Sequence, residues 1–420
     1  MAAPAVGGAG SGARARRDIR GTKCSPVAGP TVTDDEQLLG GYAGRMLVVT
    51  ALAWAALQLA RFAVPPLLPE VRADLGLSLT EAGVALTVFQ GVYAAFQYPS
   101  GRLSDDWSRA TLLAPSFVVL GVGCLLVGSA VGFASLLAGL AVFGVGKGLY
   151  AIPSRALLSD LFVERRGQAL GVFSAGTDLG GILASGAAVA AIAFATWRVV
   201  FAPVAVLLFG LLGLFAVWNR ESYVVDRSDL ALVATLRRLL ATPRQRRSIV
   251  AFVCFYFMVN GVLNFLPEYL RVTKGFSPAL AGGTYALLFA FGLAVKPAAG
   301  ALSDRFPRRR VAVGGMGLAA AALGGLVVAG SPLAVGAAIV VFAFGYKAQF
   351  PVIDAILLDA APSADAGADL GAARTLFLGV GSLGPAFVGV VADRFDFAVG
   401  FAALVGILVV AAVLLLADEW

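Results

Sequence analysis

The sequence predicts an all-α membrane protein with twelve transmembrane helices, arranged as two pseudo-symmetric bundles of six. The first observation is composition: the chain has 420 residues, of which 59% are hydrophobic and 14% charged. Soluble domains carry about 25% charged residues. The second is that the charges lie between apolar runs of roughly 20 residues, long enough for a helix to cross a hydrocarbon core about 30 Å thick. The third is that several short motifs recur about 200 residues apart.

The apolar runs predict the limits of the twelve helices, which we number as spans 1 to 12. The predicted limits are 46–68, 82–101, 110–130, 133–157, 168–193, 199–218, 248–270, 279–301, 311–330, 333–357, 370–392 and 398–417. The 51 glycines favour close helix packing in lipid, because small residues let backbones approach one another.

The distribution of basic residues predicts the orientation of the chain in the membrane. Cytoplasmic loops are enriched in lysine and arginine. If the N-terminus is inside, the outer loops contain only five of the 32 basic residues, namely Arg72, Arg198, Arg271, Lys274 and Arg394. We therefore expect a multi-pass protein of the plasma membrane with both termini in the cytoplasm.

Two segments lie outside the apolar runs. Residues 1–45 are too long and too polar for a signal peptide, and we expect a disordered cytoplasmic tail. Residues 219–247 form a basic linker between an N-terminal half, 46–218, and a C-terminal half, 248–420. The pattern within 230–240 predicts a short amphipathic helix along the inner membrane surface. The arginines of both segments are expected to set topology rather than to bind nucleic acid.

The two halves share motifs at one offset. Leu-Pro-Glu-Val-Arg at 68–72 matches Leu-Pro-Glu-Tyr-Leu-Arg at 266–271, and Lys147 matches Lys347. GRLSDDWSRAT at 101–111 matches GALSDRFPRRR at 300–310. Several anchors with one offset predict a parallel duplication, in which two six-helix halves are related by an axis normal to the membrane.

The pair of Gly-x-x-x-Asp loops resembles the cytoplasmic gating motif of the major facilitator superfamily of secondary transporters, and TWRVVF at 196–201 is also similar to this superfamily. The resemblance covers residues 46–417 and implies transport by rocking of the halves. It implies that the loop carboxylates face the N-terminal end of a helix in the opposite half. The chain departs from the family pattern at Asp106, Ser108 and Pro307. The implied gating residues are Gly101, Asp105, Arg109, Gly300, Asp304 and Arg308.

Ionisable residues inside the spans are candidates for function, since each costs roughly 2.5–3.5 kcal/mol at a helix centre unless it finds a partner or water. Three of them lie near the cytoplasmic ends of their spans, and we expect them to extend towards that surface. These are Arg155, Lys296 and Arg374. Three others lie deeper, namely Arg61, Lys147 and Lys347.

The family resemblance implies that spans 1, 4, 7 and 10 line a central cavity, and Arg61 resembles the substrate-binding arginine of the anion:cation symporter and organophosphate branches. Its second-half partner is missing, because Val259 occupies that position. We expect Lys147 and Lys347 to face each other, and we expect Asp178 and Asp354 to couple transport to H⁺ or Na⁺. The predicted substrate-binding residues are Arg61, Lys147, Lys347, Gln58, Asn260 and Asn264.

The same residues also allow a purely structural interpretation. Asp178 and Asp354 would neutralise the cations, with Asp354 seven residues after Lys347 on nearly the same helical face. Two carboxylates cannot neutralise three deep cations one for one, which favours substrate contact for at least one cation. Gln58, Gln90, Asn260 and Asn264 would bridge helices instead of binding a ligand.

The leading functional hypothesis is a secondary transporter for a small organic or inorganic anion. The alternatives are a proton-coupled exporter of hydrophobic compounds and a transporter-like sensor that binds ligand without moving it. An enzyme is not expected, because the sequence has no histidine and no metal-ligand cluster. No P-loop is present, so direct ATP drive is not expected. We expect a monomer in the lipid bilayer without a cofactor, metal or nucleic-acid partner.

The orientation can be tested with single cysteines placed at residue 30 and in the 219–247 linker, in a background without the three native cysteines. Both positions should react with a membrane-impermeant thiol reagent only after permeabilisation, since both are predicted to be cytoplasmic. A cysteine in the predicted 3–4 loop is the control and should react in intact cells. Labelling of the tail or the linker in intact cells would reverse the predicted topology.

Overall fold

The computed structural model describes residues 38–226, 232–360 and 366–417, without the side chains of residues 234, 304, 358–360 and 366–369. Within these residues the regular structure is helical and includes no strand. Twelve helical segments of the described part are long and apolar enough to cross a membrane. This finding confirms the predicted all-α fold with twelve spans.

The spans begin and end close to their predicted limits, and several are longer. Spans 1 to 6 are Gly41–Leu75, Leu79–Ala95 with Gln97–Asp106, Arg109–Gly128, Phe133–Leu161, Arg166–Phe194, and the 3₁₀ turn Trp197–Val200 with Phe201–Trp218. Spans 7 to 12 are Pro243–Val272, Pro278–Arg305, Arg308–Val328, Pro332–Lys347 with Gln349–Ala360, Ala366–Gly381 with Gly384–Arg394, and Phe397–Leu416.

Span 1 shows why the observed helices exceed the apolar runs. It has 35 residues, roughly 52 Å at 1.5 Å per residue, which is more than a hydrocarbon core needs. Its C-terminus is set by Gly76, whose φ of 66° is left-handed. Span 2 then begins with a capping box, in which Ser78 accepts from the Glu81 backbone N–H and Glu81 accepts from the Ser78 backbone N–H. The helix ends thus depend on local capping and not only on hydropathy.

The helices pack as two related groups of six. Span 3 packs on spans 4 and 6 and span 1 on span 5, while span 9 packs on spans 10 and 12 and span 7 on span 12. Between the groups, span 2 packs on span 11, span 5 on span 8 and span 1 on span 7. When each span is replaced by its equivalent in the other half, six places away, the contact of span 2 with span 11 becomes the contact of span 8 with span 5. A pseudo-twofold axis requires this exchange.

Spans 2, 10 and 11 are broken for one shared reason. Their first helices end at Ala95, Lys347 and Gly381, and each of these residues lies four positions before a proline. Proline has no N–H to donate to the carbonyl four residues earlier, so the helical hydrogen bond is lost there. The break in span 10 places Lys347 at the last residue of its first helix.

The linker contains a helix, Leu232–Leu239, inside the segment predicted from 230–240. Thr235 and Leu239 are buried, and the helix packs against span 11. Its position on the membrane surface and the boundaries of the two halves stay predictions. The predicted tail, 1–45, falls almost entirely outside the described residues.

Spans 7 and 11 approach each other closely at Gly384. A Cβ atom built there would lie 2.1 Å from the Phe257 carbonyl oxygen and 2.9 Å from the Gly261 backbone nitrogen. Both neighbours are backbone atoms, which cannot rotate away as a flexible side chain would. The close contact between spans 7 and 11 therefore requires a residue without a Cβ atom at position 384.

Gly384→Ala should destabilise the protein by about 1–3 kcal/mol, because the added methyl group overlaps the span 7 backbone. The measurement is thermal unfolding in detergent. Gly186→Ala is the matched control, since a Cβ there meets open space and alanine is the better helix former. An equal or higher unfolding temperature for Gly384→Ala than for Gly186→Ala would contradict the close contact.

Candidate substrate site

The centre of the candidate site is a carboxylate shared by two lysines. Asp178 in span 5 accepts a hydrogen bond from the Lys347 ammonium in span 10, with 2.7 Å between Nζ and Oδ1. Its Oδ2 accepts from the Lys296 ammonium in span 8. Asp178 is 1% exposed and the Lys347 side chain is 4% exposed. One carboxylate of the N-terminal half thus joins two cations of the C-terminal half in the protein interior.

Gly292 leaves the space that this arrangement occupies. A Cβ at Gly292 would lie 2.6 Å from the Asp178 Oδ1 and 3.0 Å from the Lys347 Cε. The expectation that Lys296 extends to the cytoplasmic surface is wrong. A salt bridge to a buried carboxylate keeps its ammonium inside, because unpaired buried charges are costly.

The second predicted coupling carboxylate is Asp354, and its partner is not Lys347, the partner that the sequence spacing suggested. Asp354 accepts two hydrogen bonds from the Arg374 Nη2, at 3.0 Å and 2.8 Å. The expectation that Arg374 extends towards the cytoplasmic surface stays a prediction, since Asp354 is itself 35% exposed. The alternative in which Asp354 neutralises Lys347 is not realised, since Lys347 binds Asp178 and Asp354 binds Arg374.

Three interior cations are left without a carboxylate partner among the described residues. The Arg61 guanidinium lies 4.4 Å from the centre of the Phe62 ring. The Lys147 ammonium lies 3.9 Å from the centre of the Tyr93 ring. Arg155 donates to the Ala151 carbonyl oxygen at 3.2 Å. Aromatic rings stabilise such cations by about 0.5–2 kcal/mol, which offsets only part of the cost of leaving water.

The three cations lie in one region. The Lys147 ammonium is close enough to the Arg61 and Arg155 guanidinium groups for the like charges to repel one another. Arg61 also acts electrostatically on Lys347. Asp354 and Arg374 neutralise each other. The single negative charge of Asp178 is then outnumbered by five interior cations, namely Arg61, Lys147, Arg155, Lys296 and Lys347. An anion that entered this region would meet an uncompensated positive potential.

Sequence reasoning missed Arg155 as a member of this group. Arg155 was expected to extend to the cytoplasmic surface, and that expectation is wrong, since its guanidinium lies 5.1 Å from the centre of the Trp54 ring. The spacing gave a usable signal, because Lys147 and Arg155 are eight residues apart in span 4 and share a helical face. The expectation that Lys147 and Lys347 face each other stays a prediction. Lys147 contacts aromatic rings of span 2, while Lys347 binds Asp178.

Asn260 of span 7 bridges helices, whereas Asn264 bonds within its own helix. The Gln90 side-chain amide donates to the Asn260 Oδ1 at 2.7 Å. Asn260 donates to the Gly381 carbonyl oxygen at 3.2 Å, and Asn264 donates to the Asn260 carbonyl oxygen at 2.8 Å. For Gln90 and Asn260 this is the helix-bridging alternative. Gln58 differs, since its buried Oε1 has no hydrogen-bond partner among the described residues.

The first loop motif forms a cluster within the N-terminal half. Arg109 donates to Ser104 at 2.7 Å, to Asp105 at 3.2 Å and to Asp160 at 3.1 Å. Asp105 is 64% exposed. In this conformation its carboxylate pairs with Arg109 of its own half, and its expected contact with a helix end of the opposite half stays a prediction. Gly101 lies near Ile152, since a Cβ there would be 3.6 Å from the Ile152 Cγ2.

The second loop motif is described only in part. The Asp304 side chain, on which the second latch prediction rests, lies outside the described residues. A Cβ at Gly300 would meet open space. Arg308 donates to the Ala355 carbonyl oxygen of span 10 at 3.1 Å. The gating role of both motifs stays a prediction.

Comparison with known proteins decides the family. The model of a family described as Major Facilitator Superfamily matches residues 50–375 and 286–419. The chain belongs to the Major Facilitator Superfamily. A solved relative in fold is a bacterial homolog of the human lysosomal transporter Spinster, with a TM-score of 0.76 and 17% identity over 90% of this chain and 98% of that one. This likeness confirms the fold of the superfamily.

Two curated relatives are named for anions. The glycerol-3-phosphate transporter of Bacillus subtilis is 26% identical over 408 residues, covering 89% of each chain. A probable sulfoacetate transporter of Cupriavidus necator is 26% identical over 260 residues, covering 57% of this chain. The present chain spans 60% of the length of that second relative.

Lys147→Met and Asp178→Asn should change stability in opposite directions. Removing an uncompensated cation should be neutral or stabilising, whereas removing the shared carboxylate should cost about 3–5 kcal/mol because it leaves two buried ammonium groups unpaired. Thermal unfolding in detergent measures both. Arg394→Met, at the exposed end of span 11, is the control for loss of a cation. Stabilisation by Asp178→Asn, or strong destabilisation by Lys147→Met, would contradict this pairing scheme.

Proposed function

We propose that this protein is a secondary active transporter that moves a small anion across the plasma membrane by alternating access. The observation that supports the proposal is the group Arg61, Lys147 and Arg155, interior cations without a carboxylate partner among the described residues. Burying such charges has no structural benefit unless something of opposite charge joins them. A transported anion would do so.

Arg61 and Lys147 are the proposed primary contacts. Arg61 offers a planar guanidinium that binds a carboxylate or phosphoryl group through two hydrogen bonds, and Lys147 offers a point charge. The surrounding rings of Phe62, Tyr93 and Phe89 exclude water and so strengthen the attraction. The names of the two relatives, one for a phosphate ester and one for a sulfonate with a carboxylate, favour a small organic anion over an inorganic one.

Asp178 is the proposed coupling carboxylate. While ionised, it occupies the Lys347 and Lys296 ammonium groups. A proton taken up from water by its carboxylate would release both lysines for the substrate anion. Proton and anion would then favour each other's binding by the same factor, as thermodynamic linkage requires. Asp354 is the second candidate, because protonation there would release Arg374.

Uptake by reconstituted proteoliposomes tests the proposal. We expect uptake of a radiolabelled small anion, with glycerol 3-phosphate and sulfoacetate as first probes, and stimulation by an inward proton gradient. Lys147→Ala and Arg61→Lys should each reduce uptake about tenfold or more, since a hydrogen bond to a charged group contributes about 1.5–3 kcal/mol. Lys274→Ala in the outer 7–8 loop is the control and should leave uptake unchanged.

Asp178→Asn separates coupling from translocation. If Asp178 carries the coupling proton, this variant should lose the response to the proton gradient but keep exchange of internal for external anion. The same change at Asp354 shows which carboxylate couples, and a sodium gradient tests the other predicted ion. Uptake that is equal in Lys147→Ala, Arg61→Lys and the parent protein would remove these cations from the substrate path.

Two other outcomes would favour the alternative functions. Binding of an anion, seen as a raised unfolding temperature, without flux in either direction would favour a sensor. Proton-driven efflux of hydrophobic cations or neutral compounds, unaffected by Lys147→Ala, would favour an exporter.

A further inference from the structure

The repeated Leu-Pro-Glu motif ends in four charged residues that meet across the two halves. Glu70 and Arg72 stand at the end of span 1, and Glu268 and Arg271 at the end of span 7. We call the face that carries the loops after these spans the outer face, following the orientation predicted from charge. The duplication accounts for the repeat, but it does not require that the charges of one copy bind those of the other.

The two copies are cross-paired. The Arg271 Nη1 donates to the Glu70 Oε1 at 2.6 Å, and the Arg72 Nη1 donates to the Glu268 Oε1. Each ion pair joins the N-terminal half to the C-terminal half. We name these two ion pairs the crossed pairs. Their reciprocity follows from the pseudo-twofold axis, which exchanges the acid and the base of one pair with those of the other.

The crossed pairs are largely shielded from water, and their carboxylates are not fully hydrogen-bonded: the side chains of Glu70, Arg72 and Arg271 are 22–25% exposed. Glu268 is 1% exposed, and the second carboxylate oxygen of both Glu70 and Glu268 is buried without a hydrogen-bond partner among the described residues. Permanent buried ion pairs are stabilising only when the remaining lone pairs are also bonded. Water would satisfy these oxygens if the outer ends separated. Separation of the outer ends would therefore replace the two ion pairs by hydration of the same charged groups.

A second contact between the halves lies on the same face. The Asp393 carboxylate at the end of span 11 accepts from the backbone N–H groups of Leu79 and Thr80 at 3.2 Å and 2.7 Å. These are the first N–H groups of span 2, which attract a carboxylate. A Cβ at Gly389 would lie 2.3 Å from the Leu79 carbonyl oxygen. Spans 1 and 7 and spans 2 and 11 therefore meet at their outer ends.

The ion pairs of the first inner loop motif provide a contrast. Arg109 binds Asp105 and Asp160, all within the N-terminal half. On the outer face, Arg198 binds Asp74, and that pair also lies within the N-terminal half. The crossed pairs differ from both, because separating the halves at the outer face would break them.

We propose that the crossed pairs form an outer clamp, which holds the outer ends of spans 1 and 7 together and opens once in each transport cycle. The proposal rests on the proposed alternating access. Opening brings the buried Glu268 into water together with the three partly exposed charges, so hydration replaces the two ion pairs. Because both pairs span the same interface, they break together, and the clamp acts as a two-state element.

The test measures the distance between the outer ends of the two halves. Spin labels at Val131 and Leu333, which are 85% and 86% exposed in the predicted outer 3–4 loop and at the start of span 10, report this distance in a background without native cysteines. Arg72→Glu places two carboxylates opposite each other, and Glu268→Arg places two guanidinium groups there. Each should increase the ratio of open to closed outer ends on the order of tenfold.

The double variant Arg72→Glu with Glu268→Arg restores opposite charges and should return the distances to those of the parent protein. Asp74→Asn is the matched control, since it removes an outer ion pair within one half, and it should leave the distances unchanged. Should a charge reversal prevent insertion, Glu268→Gln keeps the shape and should shift the distances in the same direction by less.

The outcomes separate the clamp from the proposed function. Unchanged distances in Arg72→Glu, Glu268→Arg and Glu268→Gln would overturn the clamp, whatever the transport assays give. A shift in the single variants without recovery in the double variant would also overturn it. A shift with recovery, in a protein that moves no anion, would leave the clamp standing and refute the proposed transport.

Discussion

The structure depends on an imbalance of charge in a medium that tolerates charge poorly. Asp178 binds Lys347 and Lys296, while Arg61, Lys147 and Arg155 contact aromatic rings and a backbone carbonyl, without a carboxylate partner in the part of the chain that the structure describes. In an interior of low dielectric constant, each of these charges acts over a longer range than in water. A protein that needed only stability would replace them with apolar side chains. Their presence is the strongest physical argument for an anionic ligand.

Backbone features position these charges. The proline four residues after Lys347 ends the first helix of span 10 at that residue. Gly292 leaves space for the Asp178 carboxylate beside span 8. The Asp178 cluster thus joins span 5 to spans 8 and 10 at the centre of the molecule, where the two halves meet. A change in the charge of this cluster acts directly on the contact between the halves.

The crossed pairs at the outer face belong to the same physical scheme. Both the central cluster and the crossed pairs join the halves through charges, and hydration or a ligand can replace the protein partner in each. Salt bridges with unsatisfied oxygens suit this use better than apolar contacts, because water stabilises the separated charges. The apolar packing of spans 3, 6, 9 and 12 stays within each half, so it need not change when the halves move.

The sequence by itself determined the fold class, the number of spans and the family. Apolar runs of this length cross the bilayer as helices, because apart from a closed β-barrel only a helix bonds all of its own backbone N–H and C=O groups there. It also placed Arg61, Lys147 and Lys347 deep in their spans, since depth follows from the helical rise. The sequence did not give the binding partners of the interior charges. Lys296 and Arg155 were expected to extend towards the surface, yet Lys296 binds the buried Asp178 and Arg155 lies beside Trp54.

Only the tertiary structure decided which charges meet, and the reason is geometric. Ion pairs between different spans depend on helix rotation, crossing and breaks, none of which hydropathy records. Asp178 and Lys296 are separated by 118 residues, and Arg72 and Glu268 by 196. The repeat of Leu-Pro-Glu showed that the halves are duplicated, but the cross-pairing of its charges required the two copies to face each other across the pseudo-twofold axis.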